Sequence, residues 1–225
     1  MHKGLTGNQL KLIAMVTMTV DHIGFILLPQ VVWLRLIGRL SFPIYAWFIG
    51  EGCRHTRSMP RYLGSVAAMA LLCQCVSYAA TGSLYQCILV TFSLSIGLIF
   101  LLQKAKETSH WLWAALFAAA LAAVWFLTET LPTLLPGTDY GVDYDFWGVI
   151  LPVVVWIMPK KRYKLLSAAT VMAVMAVLNS LQWFAFPALG LLALYNGQRG
   201  RRNIKRLFYY YYPAHLAALY LITML

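Results

Sequence analysis

The feature that most constrains this chain is a recurring block of roughly 15 to 22 apolar residues, set off each time by a short polar stretch. At 1.5 Å of rise per residue, a helix of that length crosses a hydrocarbon core of about 30 Å. Apolar residues make up 61% of the 225 residues and charged residues 11%, and the mean hydropathy is +0.69. A soluble globular domain does not have that composition. The predicted fold class is an all-α integral membrane protein, a bundle of transmembrane helices.

Spans are expected near residues 10–28, 32–52, 62–80, 84–102, 111–131, 145–158, 163–180, 182–195 and 207–225. That is nine helices, within a range of eight to ten because the blocks at 145–158 and 182–195 are short enough to be re-entrant. Lys and Arg mark the cytoplasmic loops. With the N-terminus inside, those loops carry Lys3 and Lys11; Arg54, Arg57 and Arg61; Lys104 and Lys106; Lys160, Lys161, Arg162 and Lys164; and Arg199, Arg201, Arg202, Lys205 and Arg206, which is 16 of the 18 basic residues. The opposite loops hold Glu129, Asp139, Asp143 and Asp145, so an odd span count and the charge pattern agree.

The net charge of +11 is therefore a topology signal spread over every inside loop rather than a nucleic-acid footprint. The first apolar block has the charged start of a signal peptide. It also contains Asp21-His22 and runs into Pro29-Gln30 instead of small residues, and is expected to be retained. Cys53, Cys73, Cys75 and Cys87 lie in or beside predicted spans without zinc-ligand spacing and read as packing residues, and no metal is expected. No linker or internal repeat divides the chain, so residues 1–225 are expected to form a single transmembrane domain.

Ionisable groups inside a span cost a few kcal/mol on insertion scales, which makes each one a candidate for function. They are Asp21 and His22 in the first span, Arg35 and Arg39 in the second, Glu51 at its inner end beside Arg54 and His55, and His215 in the last. Lys11 and His22 are close to three turns apart, on one face and separated by about 16 Å along the axis. That places Lys11 near the inner surface and His22 near mid-membrane, where a neutral imidazole can act as a general base or be a satisfied structural histidine. Asp21 is rotated by about 100° from His22 and need not share its cavity. Arg35 and Arg39 are one turn apart and need anions at that depth, either Asp21 and Glu51 or ligand phosphates. Glu51 and His55, an i, i+4 pair, form with Arg54 and Arg57 an anion-receiving inner mouth. His215 is expected at a depth similar to that of His22. Tyr209 to Tyr212 read as an interfacial aromatic belt, and Asn196-Gly197 as a helix stop.

Lys11, ten intervening residues and His22 fit the R/K-x10-H pattern of the acyltransferase-3 membrane enzymes. More of the chain resembles the TraX family: LKLIAMVTMTVDHIG, RLIGRLSFPIYAWFIGEGCRHTRS, DYDFWGVIL, ALYNGQRG and FYYYYPAHL occur in order from about residue 10 to 220. The resemblance implies a multi-pass protein of the bacterial cytoplasmic (inner) membrane that moves acetyl from acetyl-CoA to an amine, as on the N-terminus of conjugative pilin. By motif it makes His22 the base and Lys11 its motif partner. Asp21, Arg39, Glu51, His55, Asp145, Asn196, Tyr212 and His215 form the supporting set, and Arg54 and Arg57 hold the nucleotide phosphates. The expected partners are acetyl-CoA, a pilin or other peptide acceptor, and membrane lipid. O-acetylation of a glycan or lipid headgroup is one alternative reading, and a small ion-coupled transporter using Asp21, His22, Arg39 and Glu51 is another.

Overall fold

Thr6 opens the first helix with a reciprocal cap. Its hydroxyl accepts from the Gln9 amide N–H at 3.4 Å, and the Gln9 side-chain oxygen accepts from the Thr6 N–H at 2.8 Å. In this computed structural model, which describes residues 4–200 and 205–223, the elements that follow are all helical. In chain order they are α1 (Gly7–His22), α2 (Val32–Gly38), α3 (Ser41–His55), α4 (Met59–Thr81), α5 (Ile88–Thr108) and α6 (Trp111–Trp125). The remainder are α7 (Leu131–Leu134), α8 (Asp145–Ile157), α9 (Lys161–Leu178), α10 (Pro187–Ala193) and α11 (Lys205–Thr223). A π-helical turn, Ile23–Leu27, extends α1, a second, Phe126–Thr130, joins α6 to α7, and a 3-10 turn, Ser180–Ala185, precedes α10.

Among the described residues, five stretches are long and apolar enough to cross a membrane: Gly7–Leu27, Val32–His55, Met59–Thr81, Ile88–Thr108 and Trp111–Leu134. Only 17% of the most apolar window of Met59–Thr81 and 11% of that of Trp111–Leu134 is buried within the protein. Their outer faces carry Leu71, Leu72, Trp111, Leu116 and Phe126, an exterior that lipid accepts and water does not. Asp145–Ile157 and Ser180–Ala193 are shorter apolar helical stretches, as the sequence led us to expect. The block expected to begin at residue 84 starts later. Gly82 ends α4 with φ +69°, and the chain then runs extended, with Gln86 and Asp143 backbone groups bonded across (Gln86 N–H to the Gly141 oxygen at 2.7 Å, Asp143 N–H to the Gln86 oxygen at 3.0 Å). Beside this pairing the Tyr85 hydroxyl donates to Asp143 at 3.2 Å, and burial together with that carboxylate pushes its pKa up.

The chain divides into two compact units. One comprises residues 1–48 and 160–225, the other residues 49–159. In the first unit, α1 and α2 approach each other over glycine. A Cβ on Gly24 would meet Leu34, and one on Gly38 would overlap Asp21. The segment after α10 pairs with the start of the chain: Leu5 N–H donates to the Leu194 oxygen at 2.8 Å, and Asn196 N–H to the Leu5 oxygen at 2.9 Å. Lys161 Nζ ties this knot by donating to the Ala193 and Tyr195 carbonyls, each at 2.6 Å. In the second unit, α5 packs against α4, α6 and α8. Gly50 lies so close to the Pro152 oxygen and Val155 that a Cβ there has no room.

Candidate active site

The residues of α1 divide their duties by helical phase. Asp21, near the end of α1, turns toward α2, where one carboxylate oxygen accepts from Arg35 Nη1 at 2.5 Å and the other from Arg39 Nη2 at 2.9 Å. The side chains of Asp21 and Arg39 are 13% and 10% exposed, so this is a largely desolvated clamp of one anion between two cations. Gly38 is what lets the carboxylate reach, since any side chain there would occupy the place of Asp21. Gly38→Ala is therefore expected to break the clamp and lower the midpoint of thermal unfolding in detergent. A retained midpoint would show that α1 and α2 can separate without cost.

His22 faces the other way, onto α11. Its Nδ1 lies 2.8 Å from Nε2 of His215, and His215 Nδ1 lies 2.9 Å from the Tyr211 carbonyl oxygen. His215 is buried, and rings close around the pair. Tyr211 stacks on His215 at an interplanar angle of 10°, while Tyr212 meets both imidazoles edge-on at centroid distances of 6.2 and 5.4 Å. Tyr211 is itself anchored. Thr19 Oγ1 donates to the Met15 carbonyl, so the 2.6 Å contact between Thr19 and Tyr211 hydroxyls is one in which Tyr211 donates. Thr19, Tyr211 and Tyr212 thus hold the two histidines in an aromatic pocket, while Asp21, on another face of α1, holds the cation pair of α2 and its C-terminal end.

The other candidates separate from this centre. Lys11 sits near the start of α1 with Nζ 4.9 Å over the Phe48 ring, along the helix from His22 rather than beside it. Asn196 is part of the knot between chain start and α10, where its side-chain oxygen accepts from the Gln198 N–H at 2.9 Å. Residues Lys3, Arg201 and Arg202, read as topology markers, lie outside the described residues.

Glu51, Arg54, His55, Arg57 and Asp145 belong to the second unit. His55 Nδ1 donates to the Glu51 main-chain oxygen at 2.8 Å and lies 3.9 Å from its carboxylate. Arg54 donates to the carbonyls of Trp156 and of Met158, the latter at 2.9 Å, and so caps the C-terminal end of α8 with a cation. Arg57 is exposed. Asp145 starts α8 in a left-handed conformation, φ 51°, directly after Tyr144 at φ 63°. The Glu129 carboxylate receives the next amide, Phe146 N–H, at 3.0 Å. Next to Arg54 the unit has a cavity of about 420 Å³, largely open to the surface and lined by Arg54, Thr56, Gln103, Lys106, Glu107 and Trp156, with Lys106 Nζ 5.1 Å above the Trp156 ring.

Tyr211, read as part of an aromatic belt, Lys106, read as a topology marker, and Gln103 and Trp156 were not among the candidate site residues that the sequence offered. Tyr211 precedes His215 by one helical turn, the one signal that placed it. Gln103, Lys106 and Trp156 come from two helices and carry no common spacing. Among the described residues no cluster of His, Cys, Asp and Glu has the arrangement of a metal site. The cysteines are free, with Cys53 and Cys73 buried, Cys75 exposed and Cys87 half-buried.

Comparison with known proteins gives a family and a relative. A family model described as TraX protein matches residues 6–223. The protein called "Probable fimbrial assembly protein FimC, serogroup H1" of Dichelobacter nodosus is 28% identical over 236 residues, spanning 94% of this chain and 93% of its own length. "Uncharacterized protein RP591" of Rickettsia prowazekii (strain Madrid E) is 44% identical over 41 residues, 18% of this chain and 16% of its own length. No solved structure matches.

Proposed function

We propose, from the premise that this chain belongs to the TraX family, that it is a multi-pass membrane acetyltransferase carrying acetyl from cytoplasmic acetyl-CoA to the amino terminus of pilin or a similar peptide. The observation that carries the reading is the paired His22 and His215, two imidazoles 2.8 Å apart inside an aromatic pocket, with His22 on a helix long and apolar enough to cross a membrane. A pair of that kind has few uses in a span besides moving protons. The name of the Dichelobacter relative, a fimbrial assembly protein, supports a pilus-related acceptor.

In this reading nine spans place the N-terminus inside, so donor and acceptor come from opposite sides: acetyl-CoA from the cytoplasm, the pilin amine from the outer face. The arginines of the inner mouth receive the anionic nucleotide. The second unit's cavity, with Lys106 and Arg54 in its wall, supplies cations of the right kind for phosphates. His22 takes the proton of the attacking amine, and the guanidinium groups held by Asp21, its neighbour in the chain, are the cations for the tetrahedral oxyanion.

Arg54 is committed to the end of α8, so Arg57 is the cleaner test of phosphate binding. Arg57→Ala is expected to raise the KM for acetyl-CoA about tenfold, the loss of one charge-assisted hydrogen bond at about 1.4 kcal/mol, with turnover little changed. A fall in turnover at constant KM would remove Arg57 from the phosphate site. The overall reading is tested by release of free CoA from acetyl-CoA by the purified protein in detergent, with and without a peptide matching a pilin N-terminus. Peptide-dependent release is expected. Release without peptide dependence would keep the donor and change the acceptor to a glycan or lipid headgroup. Failure of CoA either to be turned over or to stabilise the protein thermally would overturn the enzyme and leave the ion-coupled transporter.

A further inference from the structure

The hydrogen bonds around His215 determine which nitrogen of His22 bears its proton. A carbonyl oxygen only accepts, so the 2.9 Å contact between His215 Nδ1 and the Tyr211 carbonyl puts a proton on Nδ1 of His215. In the neutral ring its Nε2 is then bare and can only accept. The partner across 2.8 Å, Nδ1 of His22, must therefore be the donor. A neutral His22 with its proton on Nδ1 has an unprotonated Nε2, pointing away from His215 with its lone pair available. Tyr211 holds the far end of this chain, because its hydroxyl is tied to Thr19 on α1 and its ring stacks on His215. The order is Tyr211 carbonyl, His215, His22, with every donor matched to an acceptor.

We propose that His215 is a positioning residue that locks His22 in the tautomer with a basic Nε2, through a relay that begins at the Tyr211 carbonyl. Without it, nothing holds the proton on Nδ1, and the tautomer that presents an N–H at Nε2 becomes populated. This rests on the acetyl-transfer reading for its chemistry, though not for its geometry. In the reaction, Nε2 of His22 takes a proton from the neutral acceptor amine as its nitrogen forms a bond to the acetyl carbonyl carbon. The carbon–sulfur bond breaks with its electron pair going to the CoA sulfur, which takes the proton back from His22 and leaves as the thiol. His22 ends as it began, with its proton on Nδ1 and held there by His215.

Two side chains separate the relay from mere packing. Gln at 215 places an amide oxygen where Nε2 was and can still accept from His22, whereas Leu fills the space and accepts nothing. The tautomer of His22 is read by nitrogen-15 NMR on protein labelled at histidine, with His22→Asn used to assign its signals. The wild type and His215→Gln are expected to show His22 with a protonated Nδ1 and a bare Nε2. His215→Leu is expected to show mixed tautomers and a turnover lower by on the order of tenfold, a part of the ~10²–10⁴ that a general base contributes, with an unchanged KM for acetyl-CoA. His22 protonated on Nε2 in the wild type would overturn the relay, as would His215→Leu with wild-type turnover. Should the wild type transfer no acetyl at all, the acetyl-transfer reading falls and the tautomer spectrum alone decides the relay. Should His215→Leu not fold, the wild-type spectrum and the His215→Gln rescue decide it.

Discussion

His22→Ala is expected to reduce peptide acetylation by about 10²- to 10⁴-fold, the contribution of a positioned general base, while the protein still folds and still binds CoA. The substitution removes one hydrogen bond, that of His22 Nδ1 to His215, and leaves a buried acceptor unpaired at a cost of about 1–3 kcal/mol. His22→Asn serves as its control, because the side-chain N–H of Asn can still donate to His215 but carries no basic lone pair. Loss of activity in both variants, with thermal stability recovered in Asn, assigns His22 to chemistry. Activity retained in His22→Asn assigns it to structure. Both outcomes are read from initial rates and thermal unfolding in the same detergent.

Asp21→Ala is the substitution expected to cost most in stability. It takes the shared carboxylate away from Arg35 and Arg39 on a face where the Arg39 side chain is only 10% exposed, and breaking a buried pair from one side costs about 3–5 kcal/mol. At about 2–4 °C per kcal/mol for a chain of this size, the midpoint of unfolding falls by about 10 °C. Adding Arg39→Met to Asp21→Ala removes one of those two charges and should recover part of the loss, a non-additivity that measures the clamp itself. Equal and additive effects of the two substitutions would mean that the ion pair is solvated and contributes little. Asp21→Glu is not a rescue, because the longer side chain must find room above Gly38 where even a methyl group on the facing residue is excluded.

Of the nine spans expected, five stand among the described residues as helices long and apolar enough to cross; these were legible because the bilayer sets their length, and a long apolar block announces a crossing whatever packs beside it. The sequence also carried the separation of Asp21 from His22, since adjacent residues on a helix point about 100° apart. The structure sends one to α2 and the other to α11. What composition could not supply was pairing across distance. His22 and His215 are 193 positions apart, and depth estimates put them at one level without saying that they touch. Asn196 looked like a site residue because it sits in a motif. The structure places it in a turn that ties the chain start to α10, where its side-chain oxygen accepts from the Gln198 N–H and its backbone N–H donates to Leu5. Arg54 was similarly ambiguous: a cation at the end of an apolar stretch serves topology, ligand or helix end equally well, and the Trp156 and Met158 carbonyls use it for the last. The start of α5 was missed because Leu84 and Tyr85 are apolar and read as part of the block, while the backbone there pairs with Gly141 to Asp143 instead of coiling.

The most direct measurement is the mass of a pilin-like peptide after incubation with acetyl-CoA and the purified protein in lipid vesicles, with fragmentation to locate the added group, for wild type and His22→Ala side by side. One acetyl group on the peptide's amino terminus, present with the wild type and lost with His22→Ala, is the result predicted here. An unmodified peptide from a wild-type protein that folds and binds CoA, or a peptide acetylated equally by both proteins, would contradict it.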